Sequence, residues 1–296
     1  MSTPDTAGPN ATLDVAIVGA GPLGLALALA LHKAGRHVHV FDARTHAQTR
    51  RDARVLALSH GSRQLLDSLR AWPMQGATHI DRIHVSQRGA LGRTLISSGE
   101  YGVPALGYVV PATALMDALW ARVEQMGIPV SHDSRVEGIS TEGDEAHLTV
   151  RGPEGTHRVR ARLAACCEGA VDAGEGARVF ERDYGQHALL CRVTPTAPHQ
   201  HIAYERFTPD GPIALLPLAG DYSVVWTVSP ERLADLQALS DDALLTVLQT
   251  AFGGHRVALS RLRDRASFPL GLRVRRDPVA ARVVWLGTAA QTLHPV

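Results

Sequence analysis

The chain has 296 residues, 45% hydrophobic and 20% charged, and 30 Lys and Arg against 29 Asp and Glu leave a formal net charge of +1. This apolar content excludes general disorder, and the even balance excludes nucleic-acid binding through bulk positive charge. Cys166, Cys167 and Cys191 form neither a disulfide framework nor a CxxC spacing, so no metal is expected and a reducing compartment fits best. Lys33 is the only lysine and no Gly-Lys-Ser/Thr follows a glycine loop, which removes Walker-type nucleotide binding and leaves a Schiff-base enzyme only a helix-tail lysine.

In chain order, residues 1–12 read as a loose lead-in and Asp14–Val18 as a short buried strand. Pro22–Ala34 reads as a helix despite leucines at every second position. Leu and Ala favour helix, Pro22 suits a first turn and Gly35 a stop, so the leucines point all round a helix buried on several sides. The uncharged run Val15–Leu31 has no basic leader and is broken by Gly19, Gly21, Pro22 and Gly24, which argues against a signal peptide or a membrane span. A strand at His37–Phe41 closes a βαβ unit. A helix at Ser59–Leu69 follows, then strands at Ile80–Gln87 and Arg93–Ser97 and a helix over Pro111–Met126. Short strands follow at Arg135–Ile139, Ala146–Val150, Arg158–Arg160 and Leu163–Cys167. Longer ones, at Gln186–Val193, His201–Phe207, Ile213–Pro217 and Tyr222–Val228, suggest an antiparallel layer. Helices at Pro230–Leu239 and Asp241–Phe252 and a buried strand at Val283–Leu286 complete a discontinuous α/β domain with a β-rich insertion.

Gly19-Ala-Gly21-Pro-Leu-Gly24 fits GxGxxG between strand and helix, and the next strand ends at Asp42, 18 residues beyond Gly24. Gly19 permits the tight turn, Gly21 lets backbone approach a pyrophosphate, Gly24 allows close helix–strand packing, and Asp42 can hold a ribose diol. The pattern alone does not separate NAD from FAD. Arg54, read as leading into a helix, either pairs with that pyrophosphate or belongs to a solvated cluster with Arg50 and Arg51.

Several runs together carry a resemblance: Val15–Gly24, Arg54–Ser59, Asp81–Arg88, Gly107–Pro111, Asp183–Gln186, Arg206–Pro209 and Gly287–Pro295. In this order they resemble the FAD-dependent aromatic hydroxylases of ubiquinone biosynthesis, in particular the 2-octaprenyl-6-methoxyphenol hydroxylase branch. The resemblance implies a para-hydroxybenzoate hydroxylase-like α/β fold with a discontinuous Rossmann-like FAD-binding domain (residues 12–80, 106–181 and 275–296). A substrate-domain hairpin (81–105) and a β-rich substrate domain (182–274) are inserted. It implies that Gly19, Gly21 and Gly24 cradle the FAD pyrophosphate, Asp42 holds the adenosine ribose and Arg54 reaches the flavin nucleotide. Glu168-Gly169 stands where the family has Asp-Gly, and Gly287-Thr288 where it has Gly-Asp or Gly-Asn at the ribityl chain. His294-Pro295 matches the segment beside the isoalloxazine ring. The family continues past this point into an Ala-Gly-Gln-Gly turn and a helix. The end at Val296 therefore suggests a C-terminally truncated chain that binds FAD weakly and hydroxylates little.

In the family, NAD(P)H reduces FAD, O2 adds at flavin C4a, and the resulting hydroperoxide transfers OH to the ring of a polyprenylated phenol. No protein base is evident, since His84, His187 and His201 read as structural or exposed histidines. The implied setting is cytoplasmic, with peripheral contact at the inner face of the cell membrane and partners in a ubiquinone-biosynthesis complex. Leu272–Arg276 reads first as a solvated strand end and second as a contact for anionic headgroups. The alternatives are an NAD-dependent dehydrogenase, a flavin halogenase (disfavoured because the four tryptophans are isolated), and a non-catalytic remnant or lipid-intermediate carrier.

Overall fold

The computed structural model describes residues 12–49, 54–167, 177–253 and 257–293. The apolar run Leu13–Val18 (β1) is the interior of a mixed sheet ordered 279–280, 283–285, 155–166, β1, Val38–Phe41 (β2) and 130–131. Both faces of β1 are covered, as parallel strands require. One face meets Pro22–Lys33 (α1) and the Ala112–Gln125 helix, the other the hairpin 135–142/145–152. Four of the five alternating leucines of α1 are absorbed, as expected of a helix covered on several sides: Leu25 and Leu29 are buried, Leu27 and Leu31 pack half-buried against the same cluster, and Leu23 in the first turn is exposed.

A second, largely antiparallel sheet runs 291–292, 259–275, 179–195, 221–228, 211–218, 202–208, 82–87 and 93–97. The helices Pro230–Gln237 and Asp241–Phe252 cover one of its faces, burying Leu236, Leu248 and Phe252 against Leu215, Val224 and Trp226. Ser229 and Ser240 cap these helices by accepting from the backbone N–H groups of Arg232 and Ala243. A three-stranded sheet of 55–59, 107–111 and 78–80 joins the two cores through Ile80, Val109, Ala203 and Leu218. The strands 179–195 and 259–275 run without a break through positions 181/182 and 274/275.

Three local expectations are corrected. Arg158–Arg160 and Leu163–Cys167 are one strand, Gly155–Cys166. Its polar half pairs antiparallel with 146–152 at the surface, while its apolar half pairs parallel with β1 inside, so one strand shows two patterns. Arg54 leads into a strand, Val55–Ser59, and the helix starts only at His60, capped by Ser59. The strand Leu259–Arg275 was not anticipated over most of its length. The strand contains Pro269 and Gly271 and Asp264 has φ +57°, yet the partner strand absorbs the irregularities with register shifts at Asp183/Gln186 and Leu190/Arg192.

Candidate functional site

Four strands lie side by side with their C-terminal ends level: Val18 is in register with both Phe41 and Cys166, and Cys166 with Trp285. From these four ends leave the glycine elbow, Asp42, Cys167 and Gly287. Ligands of open parallel sheets bind at this edge. The ends are tied together by backbone hydrogen bonds: Gly19 N–H donates to Phe41 O at 2.7 Å, Cys167 N–H to Val18 O at 2.7 Å, and Leu286 N–H to Cys166 O at 2.9 Å.

The three elbow glycines meet three different surroundings. Gly19 has φ +105°, which an L side chain rarely adopts. A Cβ on Gly24 would stand 1.9 Å from Gly19 O and 3.4 Å from Cys167 Cβ, so only glycine lets α1 sit this close to the strand ends. Around a Cβ on Gly21 nothing lies within 4 Å. Gly21 is also the N-cap of α1 and supplies no side-chain cap, so no capping side chain there competes for the positive end of the helix. A dinucleotide diphosphate fits this cradle, with anion-binding N–H groups, room at Gly21 and tight packing behind it. Gly287, with φ +57°, lies against the same helix start, where its Cβ would stand 2.5 Å from Leu23 Cδ2.

Asp42 is buried and already bonded. Its Oδ2 accepts from Ala20 N–H at 2.6 Å and Arg44 Nη2 at 2.8 Å, and its Oδ1 from Arg44 N–H at 2.8 Å and Nε at 2.9 Å. Burial would raise its pKa, but the Arg44 guanidinium and the two backbone N–H groups outweigh it and hold the carboxyl below its ordinary value. Asp42 therefore locks the elbow to β2 as well as standing where a ribose would be recognised. Arg44 escaped the sequence reading, though the Asp42-Ala-Arg44 spacing carries the signal.

The structure thus brings Gly19, Gly21, Gly24, Asp42, Gly287 and Thr288 to one edge. Arg54 lies off that row, exposed, at the start of the three-stranded sheet, its carbonyl accepting from Ala112 N–H at 2.9 Å. Glu168, Gly169, His294 and Pro295 lie outside the described residues. None of the three histidines considered stands on the row. His84 is buried beside Tyr204, ring centroids 5.5 Å apart, and His201 stacks on His79 at 3.7 Å. His187 is half-buried in the 179–195 strand. In the 272–276 run, Arg273 pairs with Glu181 and Arg275 stacks over Trp285 at 3.7 Å. No helix among the described residues is long and apolar enough to cross a membrane.

Residues 12–296 match the family described as FAD binding domain. The chain is 30% identical to the 3-demethoxyubiquinol 3-hydroxylase of Escherichia coli K12, over 97% of this chain and 75% of that protein. It is 29% identical to the ubiquinone hydroxylase UbiL of Rhodospirillum rubrum, over 99% of this chain and 70% of that protein. Among solved structures, p-nitrophenol 4-monooxygenase PnpA from Pseudomonas putida DLL-E4 superposes with a TM-score of 0.74 at 17% identity, covering 96% of this chain and 74% of that one; it shares the fold. The glycine elbow and the row of strand ends are therefore those of a flavoprotein, and the chain belongs to the FAD binding domain family of monooxygenases, alongside these ubiquinone hydroxylases.

Proposed function

We propose that this chain hydroxylates the aromatic ring of a polyprenylated phenol in ubiquinone biosynthesis. The observation that carries the reading is the levelling of four strand ends at the glycine elbow, in a chain similar along nearly its whole length to two ubiquinone hydroxylases. Bound FAD supplies the redox chemistry, with NAD(P)H as reductant and O2 as the source of the new ring oxygen. The elbow formed by Gly19, Gly21 and Gly24 presents the N-terminal N–H groups and the dipole of α1 to the diphosphate. Asp42 shares its carboxylate between Arg44 and the ribose, and Gly287-Thr288 borders the ribityl chain. Arg54 reaches the nucleotide from the three-stranded sheet.

The second sheet, spanning 182–274 with the 81–105 hairpin, forms the substrate side. Its face opposite the two helices excludes water and orients the phenol ring. The isoprenoid tail keeps the substrate in the membrane, so the encounter is peripheral, at the inner face.

The test is direct. FAD-loaded protein given NADH or NADPH and a short-chain methoxyphenol should oxidise the nucleotide only with the phenol present and place one 18O atom from 18O2 in the ring. Flavin-loaded protein that incorporates no labelled oxygen overturns the reading.

A further inference from the structure

Glu205 is a carboxyl group with one oxygen, Oε1, that has no partner among the described residues. It lies in the Ile202–Thr208 strand, and its Oε1 is screened from solvent with no hydrogen-bond partner among the described residues. The residues before and after it face the two helices and the adjoining core: Tyr204 packs edge-on to Phe252 at 5.6 Å, and Arg206 donates to Ser86 Oγ at 3.1 Å. Alternation along the strand puts Glu205 on the opposite face, which the helices leave uncovered. Ala214 and Val85 stand beside it in register, so the carboxyl is set among apolar neighbours, and burial pushes its pKa up. The same face carries a second buried polar atom without a partner, Thr227 Oγ1, opposite Ala188.

The position along the strand matters as much as the face. Ala203, two residues earlier, packs with Ile80 and Val109 of the three-stranded sheet, in a cluster that includes Val55, the residue after Arg54. Glu205 therefore stands just past the contact between the substrate-side sheet and the sheet that begins at Arg54.

A carboxyl oxygen screened from water without a partner costs stability, and among the described residues no hydrogen bond to Oε1 compensates. A phenol would. We propose that Glu205 receives the phenolic proton of the substrate, first as acceptor of the ring hydroxyl's hydrogen bond and then as general base during hydroxylation. The phenol O–H bond breaks, its proton passes to the Glu205 carboxylate, and the electron pair stays on oxygen and enriches the ortho and para ring carbons. Once the hydroxylated ring has rearomatised, Glu205 releases the proton to solvent. This inference rests on the phenol-hydroxylating function proposed above.

The experiment compares FAD-loaded wild type with Glu205→Gln and Glu205→Leu, using a short-chain methoxyphenol as probe. Gln keeps a hydrogen-bond acceptor but takes no proton, so kcat should fall about 100-fold with KM little changed. Leu removes both, so the ultraviolet red shift of the bound phenol should also disappear. Both variants should bind FAD as wild type does and melt at or above its Tm, because an unpartnered, solvent-screened carboxyl oxygen has been removed. Variants that retain kcat/KM within threefold of wild type overturn the inference alone, as do variants that lose FAD affinity and Tm in step with activity. A wild type that hydroxylates no phenol overturns the functional reading, and this inference with it.

Discussion

Gly287 and Leu23 meet although they come from opposite ends of the chain: a Cβ on Gly287 would lie 2.5 Å from Leu23 Cδ2. The turn after the last parallel strand is thereby seated on the first turn of α1. Gly287→Ala forces an L residue into the left-handed region at φ +57°, at a cost of about 1–2 kcal/mol, and pushes the half-exposed Leu23 toward the elbow. Urea unfolding should show that loss, and FAD titration a weaker complex.

Gly21→Ala and Gly24→Ala separate binding from folding. At Gly21, with φ −80° and open space around the new Cβ, the fold has nothing to resist. Thermal unfolding should be unchanged while FAD affinity falls at least tenfold, because the methyl occupies the space left for the diphosphate. At Gly24 the new Cβ meets backbone at 1.9 Å, so α1 must shift. That variant should lose about 2–3 kcal/mol of stability, in the range of overpacked cores, and its flavin with it. Equal stability losses in the two variants would contradict this account of the elbow.

The elbow was legible in the sequence because its residues lie within one short segment and each glycine has a local job. Asp42 was legible by its spacing. The partnership of Asp42 with Arg44 is written only in their two-residue spacing, which is easily passed over because a carboxylate placed for a ribose looks the same whether or not a neighbour holds it. The levelling of Trp285 with Val18, which brings Gly287 to the elbow, depends on parallel pairings 283–285 with 164–166 and 161–166 with 13–18, which link segments far apart in the chain. Glu205 gave no signal, because its isolation arises from Ala214 and Val85 on adjacent strands. The strand 259–275 hid behind Pro269 and Gly271, which are tolerated because the strand has a neighbour on only one side there; the 291–292 strand pairs only at Arg273 and Val274.

The buried thiols should be inert. Burial pushes the pKa of Cys167 up to about 12; for Cys191 burial likewise dominates, with Arg265 opposing and Asp241 reinforcing, and the result is also about 12. At pH 8 both are protonated and enclosed, and the thiolate is the reactive form. A disulfide reagent should label neither in the native protein and both after denaturation. Mass spectrometry of the labelled peptides distinguishes them from Cys166.

Asp42 contributes stability with a defined sign in pH. Its folded pKa is below its unfolded value, so the contribution is present above the unfolded value of 3.8 and is lost as pH falls below it. Asp42→Asn keeps the size but removes the charge that Arg44 and the Ala20 N–H face. It should cost about 2–3 kcal/mol at pH 7, as for a hydrogen bond to a charged group, and less at pH 3. Chemical denaturation at the two pH values measures the difference. Loss of the same free energy at both would mean that the charge is not what locks the elbow.

His39 should act earlier in acid, and on the same strand. Burial first, then the neighbouring His37 and His157, bring its pKa down from 6.5 to about 4; the ring stacks on Phe41 at 4.4 Å and its Nε2 meets Ser131 Oγ at 2.8 Å. A depressed histidine favours the neutral form when folded, so its contribution is complete above pH 6.5 and is lost as pH falls toward 4. At about 1.4 kcal/mol per pH unit this amounts to at most about 3 kcal/mol. His39→Gln keeps a polar group opposite Ser131 without the titration, so its stability should vary less than wild type between pH 6.5 and 4. The His39 Cε1 proton resonance should stay flat from pH 8 to 5. Because β2 carries His39 on the way to Asp42, charging that ring strains the strand end that holds the glycine elbow. Flavin should therefore dissociate from the wild type as pH falls through about 4 and remain bound to His39→Gln; release at the same pH from both proteins would assign the acid step to another group.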